Sequence, residues 1–216
     1  MHRELDLFTA NRDFPATLRE LATRGEQRRF RKGTILIHEG DLGDSLFILL
    51  GGRVKVYCMD EHAREITFGI FGAGEYVGEM ALDGGPRSAS VITLEPTVCA
   101  VVRRPEILAY IAHCPEFSFE MLSKMIRRLR LATRDARNLA FIDVYGRVTR
   151  LLNELAQPLP DGRRRIAERV THQDIASRAG CSREMVSRIL KDLTVGSYLV
   201  VEDHHIVLTA KLPQRW

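Results

Sequence analysis

Over residues 30–102 the apolar positions come in short runs rather than in helical steps. Thr34–His38, Ser45–Leu50, Arg53–Met59, Glu65–Ile70 and Ser88–Leu94 are rich in β-formers. Gly33, Gly40, Gly43, Gly51-Gly52, Gly72, Gly74, Gly78 and Gly84-Gly85 separate many of them. Short strands at near-regular spacing with glycine turns predict a β-sandwich or barrel. Residues 1–27 read as helical and mixed: Phe14, Leu18 and Leu21 recur at helical spacing, and Gly25 stops the run.

After residue 102 the period changes. Pro105 suits the start of a short helix and Pro115 the first turn of the next. From Phe117 to about Ala140 there is no Gly or Pro, and Leu122, Met125, Leu129, Ala132, Ala136 and Leu139 form a heptad seam. Its flanks carry Arg127, Arg128, Arg130, Arg134, Asp135 and Arg137. Two readings stay open: a helix packed on its own barrel, or a two-stranded dimer seam. The length, narrow seam and charged flanks favour the dimer. Asp143 is placed to cap a further helix through Val148, Leu151, Leu152 and Leu155, so a hinge is expected at Phe141–Asp143. Pro158-Leu-Pro-Asp-Gly162 is a turn-rich break.

In residues 170–191 Thr171 is an N-cap followed three residues later by Asp174, and Ile175, Ala176 and Ala179 form the apolar side of a short helix. Gly180 supplies a turn. Ser182 caps a second helix whose buried side is expected at Met185, Val186, Ile189 and Leu190. Two short helices joined by a glycine turn are the helix-turn-helix pattern. Its second helix exposes Arg183, Glu184, Arg188 and Lys191. Arginine donates in pairs to guanine O6 and N7, and Glu accepts from cytosine N4. Tyr198–Val201 and His205–Leu208, with Glu202-Asp203-His204 as their turn, read as a wing.

Charge agrees with that placement. The net charge is +4, and residues 146–216, with 12 Lys and Arg against 8 Asp and Glu, account for all of it. That modestly favours a polyanionic partner, although surfaces that bind nothing carry such a surplus too. No stretch approaches the roughly 18 apolar residues of a membrane span. Met1-His2-Arg3-Glu4 leads into no long apolar run, so no secretory signal is expected, and Cys58, Cys99, Cys114 and Cys181 are expected to be reduced packing residues in a cytoplasmic chain.

A second chemical cluster is Gly78-Glu-Met-Ala-Leu-Asp-Gly-Gly-Pro-Arg-Ser-Ala-Ser90. Gly78 allows close backbone approach. The turn of helix at Met80-Ala81-Leu82 offers free N–H groups to an anion. Arg87 can make a two-pronged contact to a phosphate, and Ser88 adds a hydroxyl. Glu79 can accept from a sugar hydroxyl, so the pair points to a ribose phosphate. The plainer alternative is a structural Glu79–Arg87 ion pair.

Three motifs in this order resemble the family of the cyclic-AMP receptor protein and the fumarate-nitrate regulator, over roughly residues 15–210. Gly78-Glu-Met-Ala-Leu with Arg87-Ser-Ala looks like its phosphate-binding cassette. Asn138-Leu-Ala-Phe-Ile-Asp-Val with Gly146-Arg looks like the end of its dimer helix and hinge. Cys181-Ser-Arg-Glu-x-Val-x-Arg-Ile-Leu190 looks like its recognition helix. The resemblance implies an α+β fold. A cyclic-nucleotide-binding β-barrel (jelly roll) would occupy residues 1–114, a dimerisation helix and hinge 115–145, and a winged helix-turn-helix 146–216. It implies a homodimeric transcription regulator rather than an enzyme, acting on double-stranded DNA with RNA polymerase as a further partner and no membrane.

The resemblance also assigns residues. Gly78, Arg87 and Ser88, with Ala89, would hold the cyclic phosphate and Glu79 the ribose 2′-hydroxyl, with Met80 a further ligand-binding residue of the segment. Arg183, Glu184 and Arg188 would read a TGTGA-like half-site, with Thr171, Gln173, Ser182, Ser187 and Lys191 also facing DNA. Ala132 and Thr133 fall where the cyclic-AMP receptor places two hydroxyl residues against adenine, and Ala132 cannot hydrogen-bond the base. Cyclic AMP is the expected ligand, with cyclic GMP, cyclic di-GMP or ligand independence as alternatives within the class. Ala156–Gly162 is shorter than the receptor's polymerase-contacting loop. An iron–sulfur sensor needs clustered N-terminal cysteines, which are absent, and His38, His62 and His113 are lone histidines; no metal is expected. Residues 146–216 hold no nucleophile–base set, which leaves the regulatory subunit of an enzyme a distant alternative.

Overall fold

The structure, a computed structural model, describes residues 14–213, so the part of the predicted N-terminal helix before Phe14 lies outside them. The described residues fall into two packing units, 14–58 with 67–128, and 59–66 with 129–213.

In the first unit Pro15 precedes α1 (Ala16–Ala22). Eight strands follow: β1 (Glu26–Phe30), β2 (Ile35–Ile37), β3 (Ser45–Gly51), β4 (Arg53–Met59), β5 (Glu65–Gly72), β6 (Tyr76–Val77), β7 (Ser90–Thr93) and β8 (Thr97–Arg103). They form two four-stranded sheets, ordered β1-β8-β3-β6 and β2-β7-β4-β5. The five predicted runs are strands. Three strands lie outside them: β1, β6 and β8. Glu-Gln-Arg-Arg-Phe has no apolar alternation, and β1 exists through its pairing with β8, from Glu26 opposite Val101 to Phe30 opposite Thr97.

The continuous apolar text of β3 has a structural reason: both faces are covered. Leu46, Ile48 and Leu50 pack with Ala100 and Val102 of β8 against Leu18 and Leu21 of α1 and against Ile107 and Tyr110 of α2 (Arg104–His113). Leu49 turns the other way and joins Ile37, Val54, Val77, Val91 and Cys99 in a second core. Alternate residues of one strand therefore seed two cores.

A 27-residue helix, α3 (Pro115–Phe141), begins at the predicted proline. Phe117 is its one buried residue among those described; Leu122, Ile126, Leu129, Leu131 and Leu139 are exposed on the single chain. Asp143 then caps α4 (Val144–Leu155), its Oδ1 accepting from the Gly146 amide at 2.7 Å.

The second unit continues with β9 (Ala156–Pro158), β10 (Arg164–Ile166), α5 (His172–Ala179), α6 (Arg183–Val195), β11 (Leu199–Glu202) and β12 (His205–Leu208). The sheet order is β11-β12-β10-β9. The turn-rich break at residues 158–162 is thus the tip of a hairpin that extends the wing. Val148, Leu152, Ile175, Val186, Ile189, Leu193 and Leu199 form the core of this unit. Met185, expected on the buried side of α6, is instead 37% exposed. The face that packs is Val186, Ile189, Leu190 and Leu193, and Met185 stands one residue around the helix from it.

Candidate ligand and nucleic-acid sites

In the first unit, β6 delivers the chain to Gly78, whose φ of 92° starts a turn of 3₁₀ helix over Glu79–Asp83. Gly84, at φ 96°, ends it. The following loop is tied across to the β2–β3 connection: the Gly40 amide donates to the Arg87 carbonyl, and the Arg87 amide to that of Asp41, both at 2.9 Å. These bonds point the Arg87 side chain inward, where it is 8% exposed. Its Nη1 donates to the Gly78 carbonyl at 2.8 Å. Burial pulls the guanidinium below the usual arginine range, against the opposing pull of Asp44, Glu79 and Asp41. None of these carboxylates is paired with it. The result is a buried cation seated on a carbonyl with no counter-ion among the described residues, which is what an incoming phosphate requires.

The seat is built from glycines. A Cβ at Gly78 would stand 2.7 Å from Arg87 Nη1, and one at Gly43 would stand 2.9 Å from Nη2. The role of Gly43 was not readable from its position in a turn. Ala89 is buried beside the loop, while Ser88 and Met80 are exposed and touch, Ser88 Oγ to Met80 Sδ at 3.2 Å.

Glu79 is not paired with Arg87, so the plainer alternative raised by the sequence does not describe the cluster. Its partner is Arg128 of α3. Arg128 also donates to the Tyr76 carbonyl at 2.8 Å and lies over the Phe71 ring, 4.7 Å from its centroid. Sequence reasoning counted Arg128 among the charged flanks of the helix; here it orients the carboxylate. A carboxylate has about four acceptor positions, so one arginine leaves Glu79 able to take a hydroxyl. Ala132 and Thr133, further along α3, are exposed.

In the second unit Thr171 and Asp174 form a reciprocal capping box: Thr171 Oγ1 accepts from the Asp174 amide at 3.1 Å, and the Thr171 amide donates to Asp174 Oδ2 at 2.8 Å. Gly180 ends α5 in the left-handed region, φ 64°. Ser182 caps α6. Arg183, Glu184, Arg188 and Lys191 are all exposed on α6, as are Thr171, Gln173 and Ser182 before it. Its own amide and the Ser182 hydroxyl hold the Glu184 carboxyl below the usual range, so it stands as an ionised acceptor. Ser187 is partly covered, its Oγ 2.8 Å from His172 Nδ1.

Arg147 ties the end of α5 to the bend between α3 and α4. Its guanidinium donates to the carbonyls of Ile142 and Ala179, each at 2.8 Å, and of Gly180 at 3.1 Å. Two other arginines of the wing are spent internally. Arg163 pairs with Asp161 and Glu202, and Arg164 with Asn153 Oδ1 and the Ala156 carbonyl. The positive excess therefore lies less on β10 than composition implies.

All four cysteines are free thiols; Cys99 lies in the core, where burial pushes it up to about 12. Among the described residues, no group of three or more His, Cys, Asp or Glu is arranged to hold a metal, and no helix is long and apolar enough to cross a membrane.

Residues 27–114 match the family model of the cyclic nucleotide-binding domain, and residues 146–210 that of the Crp-like helix-turn-helix domain. A CRP-like cAMP-activated global transcriptional regulator of Mycobacterium tuberculosis is 30% identical over 199 residues, 90% of this chain and 89% of the relative. The cAMP-activated global transcriptional regulator CRP of Salmonella typhimurium is 34% identical over 172 residues, 76% and 80% of the two chains. Among solved structures, the c-di-GMP responsive global regulator CLP of Xanthomonas campestris superposes with a TM-score of 0.79 at 28% identity, covering 90% of this chain and 98% of that one.

Proposed function

We propose, from the premise that the chain belongs to the cyclic-AMP receptor and fumarate-nitrate regulator family of cyclic-nucleotide-responsive transcription regulators, that it is a homodimer activated by cyclic AMP and reads a TGTGA-like palindrome. The observation that carries the ligand half is the buried Arg87 guanidinium on its glycine seat without a counter-ion. Arg87, Ser88, Ala89, Gly78 and Met80 take the cyclic phosphate segment, and Glu79, oriented by Arg128, takes the ribose hydroxyl. Ala132 and Thr133 are the residues offered to the base. The exposed apolar row on α3 is covered by a second copy, which sets the two α6 helices about one DNA turn apart, ~34 Å. Arg183, Glu184 and Arg188 read bases; Thr171, Gln173, Ser182, Ser187 and Lys191 position the helix. Nucleotide binding biases the hinge at Phe141 and Asp143 by its differential affinity for two states. The setting is cytoplasmic and RNA polymerase is the further partner.

Cyclic di-GMP is the second reading. It is favoured by the likeness to a regulator described as c-di-GMP responsive and by the missing hydroxyl at Ala132.

The test is fluorescence anisotropy on a TGTGA-type palindrome and a scrambled duplex at fixed salt, without ligand and with cyclic AMP, cyclic GMP and cyclic di-GMP. Tightening on the palindrome with cyclic AMP alone is expected, and Arg87→Ala removes it while leaving salt-sensitive nonspecific binding. Specific binding that no nucleotide changes refutes the sensor half. An Arg87→Ala chain that still responds refutes the pocket.

A further inference from the structure

The inside of the elbow between α3 and α4 is a cleft of about 400 Å³ lined by Arg134, Arg137, Asn138, Phe141, Ile142 and Arg150. Arg130, Arg134 and Arg137 recur at i, i+4 and i+7, so α3 carries them on one face, away from the seam at Ala132 and Ala136. Like charges at these spacings repel. Little among the described residues relieves them. The nearest carboxylate to Arg134 is Asp135, at 3.9 Å. Arg137 has no carboxylate partner among the described residues. Arg150 comes from the other arm of the elbow. It is held by Asn138 Oδ1 at 2.9 Å and by Glu154 at 3.2 Å. Among the described residues, no acidic side chain lines the cleft itself.

We propose that this cleft is a phosphodiester-binding site. Guanidinium groups match phosphate oxygens in two-pronged fashion. Phe141, 83% exposed, offers a ring face to a base or sugar, and Asn138 offers an amide. The cleft shares no residue with the Arg87 pocket or with the base-reading set on α6. Its cations come from both arms, two from α3 and one from α4, so an anion between them relieves their repulsion and draws the arms together. Ile142, at the bend, is the residue whose carbonyl Arg147 holds. A phosphate here acts as a bracket on the elbow. The same chemistry can come from the DNA backbone or from a free nucleotide, and the two sources are separable.

The experiment compares the full chain with R134Q/R137Q, which removes charge, and R134K/R137K, which keeps it. All three are titrated with inorganic pyrophosphate by calorimetry without DNA, and with a duplex of arbitrary sequence over a salt series. If the source is DNA, the slope of log K against log [salt] flattens by about 0.9 for each phosphate that the Gln variant no longer neutralises, and Lys restores it. If the source is a free anion, pyrophosphate binds the unmodified chain and at least tenfold more weakly the Gln variant, with the DNA slope unchanged. Equal slopes and equal pyrophosphate affinities in the unmodified chain and the Gln variant overturn the proposal. Because arbitrary DNA and pyrophosphate are used, failure of the palindrome or cyclic-AMP reading does not decide the outcome.

Discussion

Replacing Gly78 by alanine separates backbone strain from the seating of Arg87, because Gly84 supplies a matched control. The two glycines have nearly the same conformation, φ 92° and ψ 5° against φ 96° and ψ 0°. An L residue in this region costs roughly 1–2 kcal/mol. Around Gly84 a Cβ meets nothing within 4 Å, so Gly84→Ala carries that cost alone. Around Gly78 it meets Arg87 Nη1 at 2.7 Å, the Ser45 carbonyl at 2.9 Å and Ile37 Cδ1 at 3.1 Å. The guanidinium can swing away, but Ser45 is fixed by its pairing with Arg103 in the sheet. Overpacking of this kind adds about 1–3 kcal/mol. Losing the Arg87–Gly78 bond adds about 1.5–3 kcal/mol, partly the same energy counted again. Gly78→Ala should therefore cost about 2–3 kcal/mol more than Gly84→Ala. Both variants gain the same small benefit in the unfolded chain, which cancels in the comparison. In thermal unfolding the gap is about 4–12 °C for a chain of this size. Nucleotide binding should be lost in Gly78→Ala and kept in Gly84→Ala. Equal melting temperatures with equal nucleotide affinity would refute the account of the seat.

Arg188→Ala should cost about 1–3 kcal/mol at a single guanine and relax specificity there; an equal loss on all sequences would make it a phosphate-binding residue instead. Arg147→Met leaves three carbonyls without their donor, and the second unit should lose about 2–4 kcal/mol on chemical denaturation, whereas an unchanged midpoint would mean water replaces the guanidinium at no cost. The buried Cys99 thiol, pushed up to about 12, stays protonated where the unfolded thiol ionises. Stability should fall as pH rises from 9 toward 12, and Ellman's reagent at pH 8 should leave Cys99 unmodified until the chain unfolds; rapid reaction of all four thiols would place Cys99 outside the core.

Features set by neighbouring residues were legible in the sequence. The capping box at Thr171, the Ser182 cap and the Asp143 cap each rest on side chains within three residues of the amides they satisfy, and the turn at Gly180 rests on that residue's own lack of a Cβ, so local text specifies them. Periodicity likewise placed α3. It failed for Met185, where a single residue decides which side of a helix packs, and for β1, which is held by pairing rather than by its own composition.

The arginines divide along the same line, and for a reason that applies beyond position. Arg87 was singled out because the neighbouring motif, Gly78-Glu-Met-Ala-Leu with Arg87-Ser-Ala, advertises it. Arg128 stood only among the charged flanks of the helix and Arg147 only within the Gly146-Arg motif, neither with a role of its own, although each ties its surroundings together. Arg128 reaches back 52 residues to the Tyr76 carbonyl and Arg147 forward 32 to that of Ala179. A carbonyl acceptor carries no sequence signature, since every residue has one; only the fold decides which are left free at a helix end or strand edge to receive a guanidinium. Arg87, Arg128 and Arg147 all rest on such oxygens, at Gly78, Tyr76, Ile142, Ala179 and Gly180. The cationic residues that tie each site to its scaffold are therefore the least visible in the sequence. A change in how a helix or turn ends will disturb the site through them before it touches any residue that meets ligand or DNA.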